Sequence, residues 1–133
     1  MNIKRFLLAG FSAFVFIFVY EFLVHGFLMM DFYEQTTEVW RPEDETNMLV
    51  MILSQFLFAI AIAFFYPIVG MDTEECKKGF PFGFGLGLVV ATPQLATYCY
   101  LPIPLTISLL WVLIEFIKTV LASLIISRVY NWK

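Results

Sequence analysis

Long apolar stretches alternate with short polar ones along the chain, and this pattern predicts four membrane-spanning helices. The apolar stretches cover residues 6–28, 48–69, 80–100 and 103–126. A helix rises about 1.5 Å per residue and needs about 20 predominantly apolar residues to cross roughly 30 Å of hydrocarbon. We therefore expect an all-α membrane protein, a four-helix bundle whose single transmembrane domain covers residues 1–133.

The positive charges predict the orientation of these helices, because short cytoplasmic loops carry an excess of Lys and Arg. With four crossings, Arg41 falls on one side and most other basic residues fall on the opposite side: Lys4, Arg5, Lys77, Lys78, Arg128 and Lys133. We expect both termini to be cytoplasmic. Cys76 and Cys99 then lie roughly 35 Å apart along the third span, which is too far for a disulfide between them.

The polar segment between the first two spans predicts a short helix at the membrane surface. Tyr33, Thr37 and Trp40 recur at i, i+4 and i+7, and amphipathic aromatic rings prefer the interface. Pro42 suits the first turn of a following helix. We expect Tyr33, Trp40 and Arg41 to form an external docking surface.

A stripe of small residues marks the third span as a close-packing helix. Gly79, Gly83, Gly87 and Ala91 follow one another at four-residue spacing. Helices in lipid associate through close packing and hydrogen bonds rather than through hydrophobic burial, so small residues mark their contacts. We expect this stripe to face another helix of the bundle.

Polar residues at similar depth predict a hydrogen-bonded layer near the external surface. Glu21 and His25 lie one helical turn apart in the first span, and rise per residue brings Gln55, Gln94 and Thr97 to about the same level. Ionisable residues inside a membrane are functional candidates. The alternative is that the layer only joins the helices through hydrogen bonds.

Glu115 and Lys118 predict a second, deeper site in the fourth span. Three residues apart, they can form an ion pair across one turn, which is the interpretation we prefer. Lys118 could instead extend toward the cytoplasmic headgroups and leave Glu115 as a proton or cation site.

Composition and motifs narrow the range of possible functions. The chain has 61% hydrophobic and 14% charged residues, against about 45–50% and about 25% in soluble domains, so the lipid bilayer is its first expected partner. The net charge of −3 argues against nucleic acid. A single His does not make a multi-His metal site, and dinucleotide, phosphate-binding and hydrolase motifs are absent from the sequence. We expect no metal and no cofactor, and enzymatic activity has no support.

Two segments carry a resemblance: "HGFLMMDFYEQTTEVWRP" at residues 25–42 and "YLPIP" at residues 100–104. The chain resembles a group of small, uncharacterised bacterial four-helix membrane proteins with a His-Gly near the end of helix one, followed by Tyr, Thr and Trp-Arg-Pro. The resemblance covers most of the chain. It implies the same fold and a bacterial inner membrane, and it carries over no functional residue.

Three functions are compatible with these patterns. The leading hypothesis is a small structural or accessory component that packs against other membrane subunits or a second copy of itself, because four spans bury little interior and sixteen Phe remain largely for outward contact. The alternative is a proton- or cation-handling protein that uses Glu21, His25 and Glu115. The third is a redox or lipid-modifying membrane enzyme whose outer polar layer binds a quinone or a lipid headgroup.

Overall fold

The predicted spans are helical in a computed structural model of the chain, which describes residues 2–69 and 78–132. Those residues contain no β-strand and five α-helices: α1 (Ile3–Leu23), α2 (Met30–Glu34), α3 (Met48–Ile68), α4 (Gly79–Leu95) and α5 (Leu105–Tyr130). A π-helical turn at Val24–Leu28 prolongs α1, and a 3₁₀ turn at Ala96–Cys99 prolongs α4. Cys76, Lys77 and Lys133 lie outside the described residues.

Within the described residues, four helical segments are long and apolar enough to cross a membrane, which confirms an all-helical fold with four candidate spans. They are Ile3–Leu28, Met48–Ile68, Gly79–Cys99 and Leu105–Tyr130. The first begins before residue 6 because Asn2 caps it, its Oδ1 accepting a hydrogen bond from the Arg5 N–H at 3.1 Å. The last begins at Leu105 because Ile103 precedes Pro104, and proline disfavours helical geometry in the residue before it.

The closest helix pairs, α1 with α3, α1 with α5 and α4 with α5, pack antiparallel. At one end of the bundle the Asn2 N–H donates to the Tyr130 hydroxyl at 3.1 Å, and the Phe6 ring meets the Phe64 ring at 6.4 Å. We call this the terminal end, since it holds the starts of α1 and α4 and the ends of α3 and α5. The opposite end, formed by residues 24–47 and 96–104, is the loop end.

Small residues let the helices approach closely toward the terminal end. Buried alanines on α1, α3 and α5 meet there with larger apolar groups: Ala9, Ala13, Ile17, Ala59, Ile62, Ala63, Ala122 and Ile126. Gly79, Gly83, Gly87 and Ala91 form the buried face of α4. A Cβ placed on Gly83 would lie 2.7 Å from Ser123 Cβ on α5, so glycine is what permits this contact.

The outward faces of the bundle are apolar. Phe11, Phe22 and Leu49 are among many large side chains that are more than half exposed. A soluble monomer rarely exposes apolar patches on this scale, whereas acyl chains solvate such groups well. The surface therefore fits a multi-pass membrane protein.

The loop end differs from the single surface helix that was predicted. Helix α2 ends at Glu34, and a separate 3₁₀ turn covers Thr37–Val39. The Tyr33 and Trp40 rings pack edge to face at 5.2 Å, and the Trp40 ring lies 5.9 Å from the Trp111 ring of α5. Tyr33 and Trp40 are therefore half-buried against the bundle, and Arg41 is exposed. The docking surface formed by these three residues stays a prediction.

The stripe on α4 offers a matched pair of substitutions. Gly83→Ala should lower the apparent melting temperature in mild detergent, followed by circular dichroism, because the new methyl group overlaps Ser123 and the Val120 backbone; overpacking of this kind costs about 1–3 kcal/mol. Gly85→Ala is the control, since a Cβ there meets nothing within 4 Å. Equal melting temperatures for the two variants would contradict the packing described for α4.

Candidate functional site

An ion-paired cluster lies between α1 and α5. Lys118 Nζ donates to Glu21 Oε1 and to Glu115 Oε2, both at 2.7 Å. His25 Nε2 lies 3.1 Å from Glu21 Oε2. The Lys118 side chain is 9% exposed and each carboxylate side chain is 17% exposed. Four ionisable groups are thus held together, and His25 is the most accessible of them, with 34% of its side chain exposed.

The two sites predicted from the sequence are one site in the structure. The Glu115–Lys118 pair forms across one helical turn as preferred, but the same ammonium also binds Glu21. The separation into an upper and a deeper site was wrong because rise per residue places only the backbone. Side chains tilt toward the N-terminus of their helix, so on antiparallel helices Glu21 and Lys118 tilt toward each other.

His25 is also held by aromatic residues at the loop end. It lies in the π-helical turn, where the Met29 N–H bonds back to the Val24 carbonyl at 2.8 Å. His25 Nδ1 lies 2.5 Å from the Tyr33 hydroxyl, which accepts a hydrogen bond from Trp111 Nε1 at 2.9 Å. π-Helical turns inside longer helices are frequent at functional sites.

These contacts fix the tautomer of neutral His25. The indole N–H of Trp111 can only donate, so the Tyr33 oxygen accepts from it and its own hydrogen is available to His25 Nδ1. Nε2 then carries the ring proton and donates to Glu21. Burial raises the pKa of the Tyr33 phenol above its ordinary value of 10.0; the Glu21 charge adds to the rise and the Trp111 hydrogen bond opposes it. The Tyr33 hydroxyl is therefore protonated at neutral pH.

Three cavities meet at His25, which lines all of them. A cavity of about 740 Å³ at the loop end is lined also by Tyr33, Glu34 and Arg41. A second, of about 640 Å³, lies between α1 and α3, and Lys118 of α5 borders it; we call it the α1–α3 cavity. The third, of about 260 Å³, faces Gln94. His25 is therefore the cluster member that the loop-end cavity reaches, whereas buried small and apolar residues fill the bundle toward the terminal end.

The other polar residues of the predicted layer, Gln55, Gln94 and Thr97, lie at different places in the bundle. Gln55 lines the α1–α3 cavity, and its Oε1 is buried without a hydrogen-bond partner in the described part of the chain. The backbone carbonyl of Gln94 accepts a hydrogen bond from Thr97 Oγ1 at 2.6 Å. Thr97 Oγ1 lies 3.1 Å from Ser108 Oγ, so Thr97 joins α4 to α5 and does not contact the cluster.

Sequence reasoning missed Tyr33 and Trp111 as members of the site. Trp111, Glu115 and Lys118 stand at i, i+4 and i+7 on α5, and that spacing could have placed Trp111 beside the ionisable pair. Tyr33 gave no such signal, because its position depends on how residues 29–40 fold back over α5.

Comparisons with known proteins assign no function to the chain, so a functional assignment rests on the geometry of the cluster. No protein-family model, curated protein or solved structure matches the chain. The resemblance to small bacterial four-helix proteins therefore stays a prediction. Within residues 2–69 and 78–132, no group of three or more His, Cys, Asp or Glu side chains is arranged to hold a metal ion.

Lys118 should be the most sensitive position of the cluster. Lys118→Met leaves two carboxylates facing each other without a cation, and removing one partner of a buried ion pair costs about 3–5 kcal/mol. We expect a large fall in the apparent melting temperature in detergent. The control Lys4→Met changes an exposed lysine in the same way and should have little effect.

The stability of Lys118→Met should return in part when Glu21→Gln and Glu115→Gln are added, because the unpaired charges are then removed. A triple variant as unstable as Lys118→Met would mean that the lysine contributes through packing rather than through charge.

Proposed function

We propose that this integral membrane protein binds and releases one proton at the cluster of Glu21, His25, Glu115 and Lys118. The observation that carries the proposal is the charge count. Two carboxylates and one ammonium leave the cluster at −1 when His25 is neutral, and a proton on His25 brings it to zero. An unbalanced charge in a low-dielectric interior is costly, so the cluster has a reason to take up one positive charge.

The coordination favours a proton over a small metal ion. Hard cations such as Mg²⁺ and Ca²⁺ take six or more oxygen ligands. Both oxygens of Glu21 and Oε2 of Glu115 already bind Lys118 or His25. A proton needs no such coordination shell, and His is the side chain whose ordinary titration falls near physiological pH.

Several ionisable groups surround His25. On α1, Glu21 contacts it directly. On α5, Glu115 and Lys118 line the α1–α3 cavity with it, and Glu115 also lines the cavity of about 260 Å³. The loop-end cavity adds Tyr33, Glu34 and Arg41. Among the described residues, α3 and α4 contribute the uncharged amides Gln55 and Gln94 to the first two of these cavities. The cavity at the loop end supplies the route by which a proton reaches His25.

The orientation of the protein belongs to the same proposal. Lys4, Arg5, Lys78 and Arg128 lie at the terminal end, and Arg41 lies at the loop end. The excess of positive charge in cytoplasmic loops supports a cytoplasmic terminal end, an interfacial position for α2 and an inner-membrane location in a bacterium. Protons would then reach His25 from outside the cell. The accessory-component and enzyme hypotheses stay predictions, because exposed apolar faces fit lipid and partner subunits equally well.

The single histidine allows a direct test. With ¹⁵N-histidine labelling, the NMR signal of His25 in lipid nanodiscs should change from the neutral to the cationic pattern as the pH is lowered from weakly basic to weakly acidic, because the cluster takes up one positive charge. Glu115→Gln should weaken this proton uptake by about tenfold or more, because the cluster is then neutral without the proton. Glu115 has no direct contact with His25 in the hydrogen-bond network, so the effect reports charge rather than a lost bond.

Glu38→Gln removes an exposed carboxylate at the loop end and should leave the His25 signal unchanged. A wild-type His25 signal that stays neutral over the whole range, or an identical titration in Glu115→Gln, would overturn the proposal.

A further inference from the structure

The α1–α3 cavity combines an apolar wall with a polar end. Its wall contains the apolar side chains of Ile17, Phe18, Phe22, Met48, Met51 and Phe58, and the cluster of Glu21, His25, Glu115 and Lys118 forms its polar end. The polar side chains of Ser54 and Gln55 also line it. Its volume of about 640 Å³ is in the range of small-molecule sites, which are mostly apolar with a few placed polar groups. The molecule that fits it is therefore amphiphilic.

The polar end selects the charge of that molecule. Two carboxylates and one ammonium give this end a charge of −1 when His25 is neutral, so an anionic headgroup is disfavoured and a monocation is favoured. The aromatic rings of Phe18, Phe22 and Phe58 add faces on which an organic cation is attracted. The Lys118 ammonium already uses one of them, since its Nζ lies 5.2 Å from the centre of the Phe58 ring.

A second observation selects the headgroup. Gln55 lines the same cavity, and its Oε1 is buried and accepts no hydrogen bond from the residues that the structure describes. A buried acceptor left unpaired is costly, and a donor on a ligand would satisfy it. An ammonium that keeps an N–H group meets both demands, because it carries the positive charge and donates.

We propose that the α1–α3 cavity binds a hydrophobic organic monocation with an ammonium N–H, with Glu21 and Glu115 as its counter-charges and Gln55 as its hydrogen-bond acceptor. The inference rests on the proposed function. Since either the ammonium or a proton on His25 brings the cluster to zero charge, the two exclude each other. Binding of the organic cation expels the proton, and protonation of His25 expels the organic cation.

Three probes with the same phenylbutyl group test this inference. They are phenylbutylammonium, neutral phenylbutanol, and the trimethylated ammonium, which keeps the charge but lacks N–H groups. Calorimetry on the protein in nanodiscs should give binding of phenylbutylammonium at least roughly tenfold tighter than of phenylbutanol, the factor that about 1.4 kcal/mol of attraction provides. Glu115→Gln should remove this preference, and the exposed control Glu38→Gln should keep it.

Gln55→Leu should reduce the preference for phenylbutylammonium over its trimethylated form without changing the affinity for the trimethylated form. In the ¹⁵N-histidine spectrum, saturating phenylbutylammonium should return His25 to the neutral pattern at a pH at which the protein without it shows the cationic pattern.

Each possible failure has a different meaning. Equal binding of the ammonium and the alcohol to the unaltered protein would show that the cavity holds amphiphiles by their apolar parts alone, as it would hold acyl chains, and would overturn the inference. If His25 still takes up a proton in that case, the proposed function stands. If His25 does not take up a proton at all, the proposed function fails, and with it the exchange inferred here.

Discussion

The ammonium group of Lys118 holds both carboxylates of the cluster, and its two hydrogen bonds reach two different helices. Glu115 lies on its own helix, α5, and Glu21 lies on α1, so the ammonium joins the two helices at the level where the bundle opens into cavities. Water is scarce at this depth, and neither carboxylate could keep its charge there without a partner. The placement of His25 depends on the same contact, because Glu21 binds the ammonium through one oxygen and the imidazole through the other.

The bundle is divided into two halves with different packing. Toward the terminal end, alanines and glycines bring the helices together, and Tyr66 donates to Ser127 at 2.8 Å inside the core. Toward the loop end, larger side chains leave three cavities, and charged and aromatic groups take over the contacts between helices. A rigid half next to an open one is a suitable arrangement for a binding site, because the tight half fixes α1 and α5 and thereby positions Glu21 and Lys118.

The sequence predicted the helices and the face of α4 that packs inward, because hydrophobic length and four-residue spacing are local properties of the chain. It also singled out Glu21, His25, Glu115 and Lys118, since ionisable residues stand out in apolar surroundings. It did not predict that the four meet, because the meeting depends on the direction of side chains on two antiparallel helices. Tyr33 shows a related limit: spacing gave it a face on a short helix, but it did not predict that residues 29–40 bring its hydroxyl to His25 and Trp111.

A cluster with equal numbers of carboxylates and ammonium groups would be complete in itself and would serve only to join helices. Here the two acids outnumber the lysine by one, and the group that can correct the difference is the imidazole of His25, which carries a charge only when it binds a proton. The same imidazole borders all three cavities, so the group that changes charge is also the group that a ligand or water reaches. A proton on His25 and a bound organic cation together would give the cluster a charge of +1, which a low-dielectric medium penalises. The two therefore exclude each other, and their exchange needs no conformational change. Exchange at this site therefore follows from the charge count, and shape is needed only to decide which cations can enter.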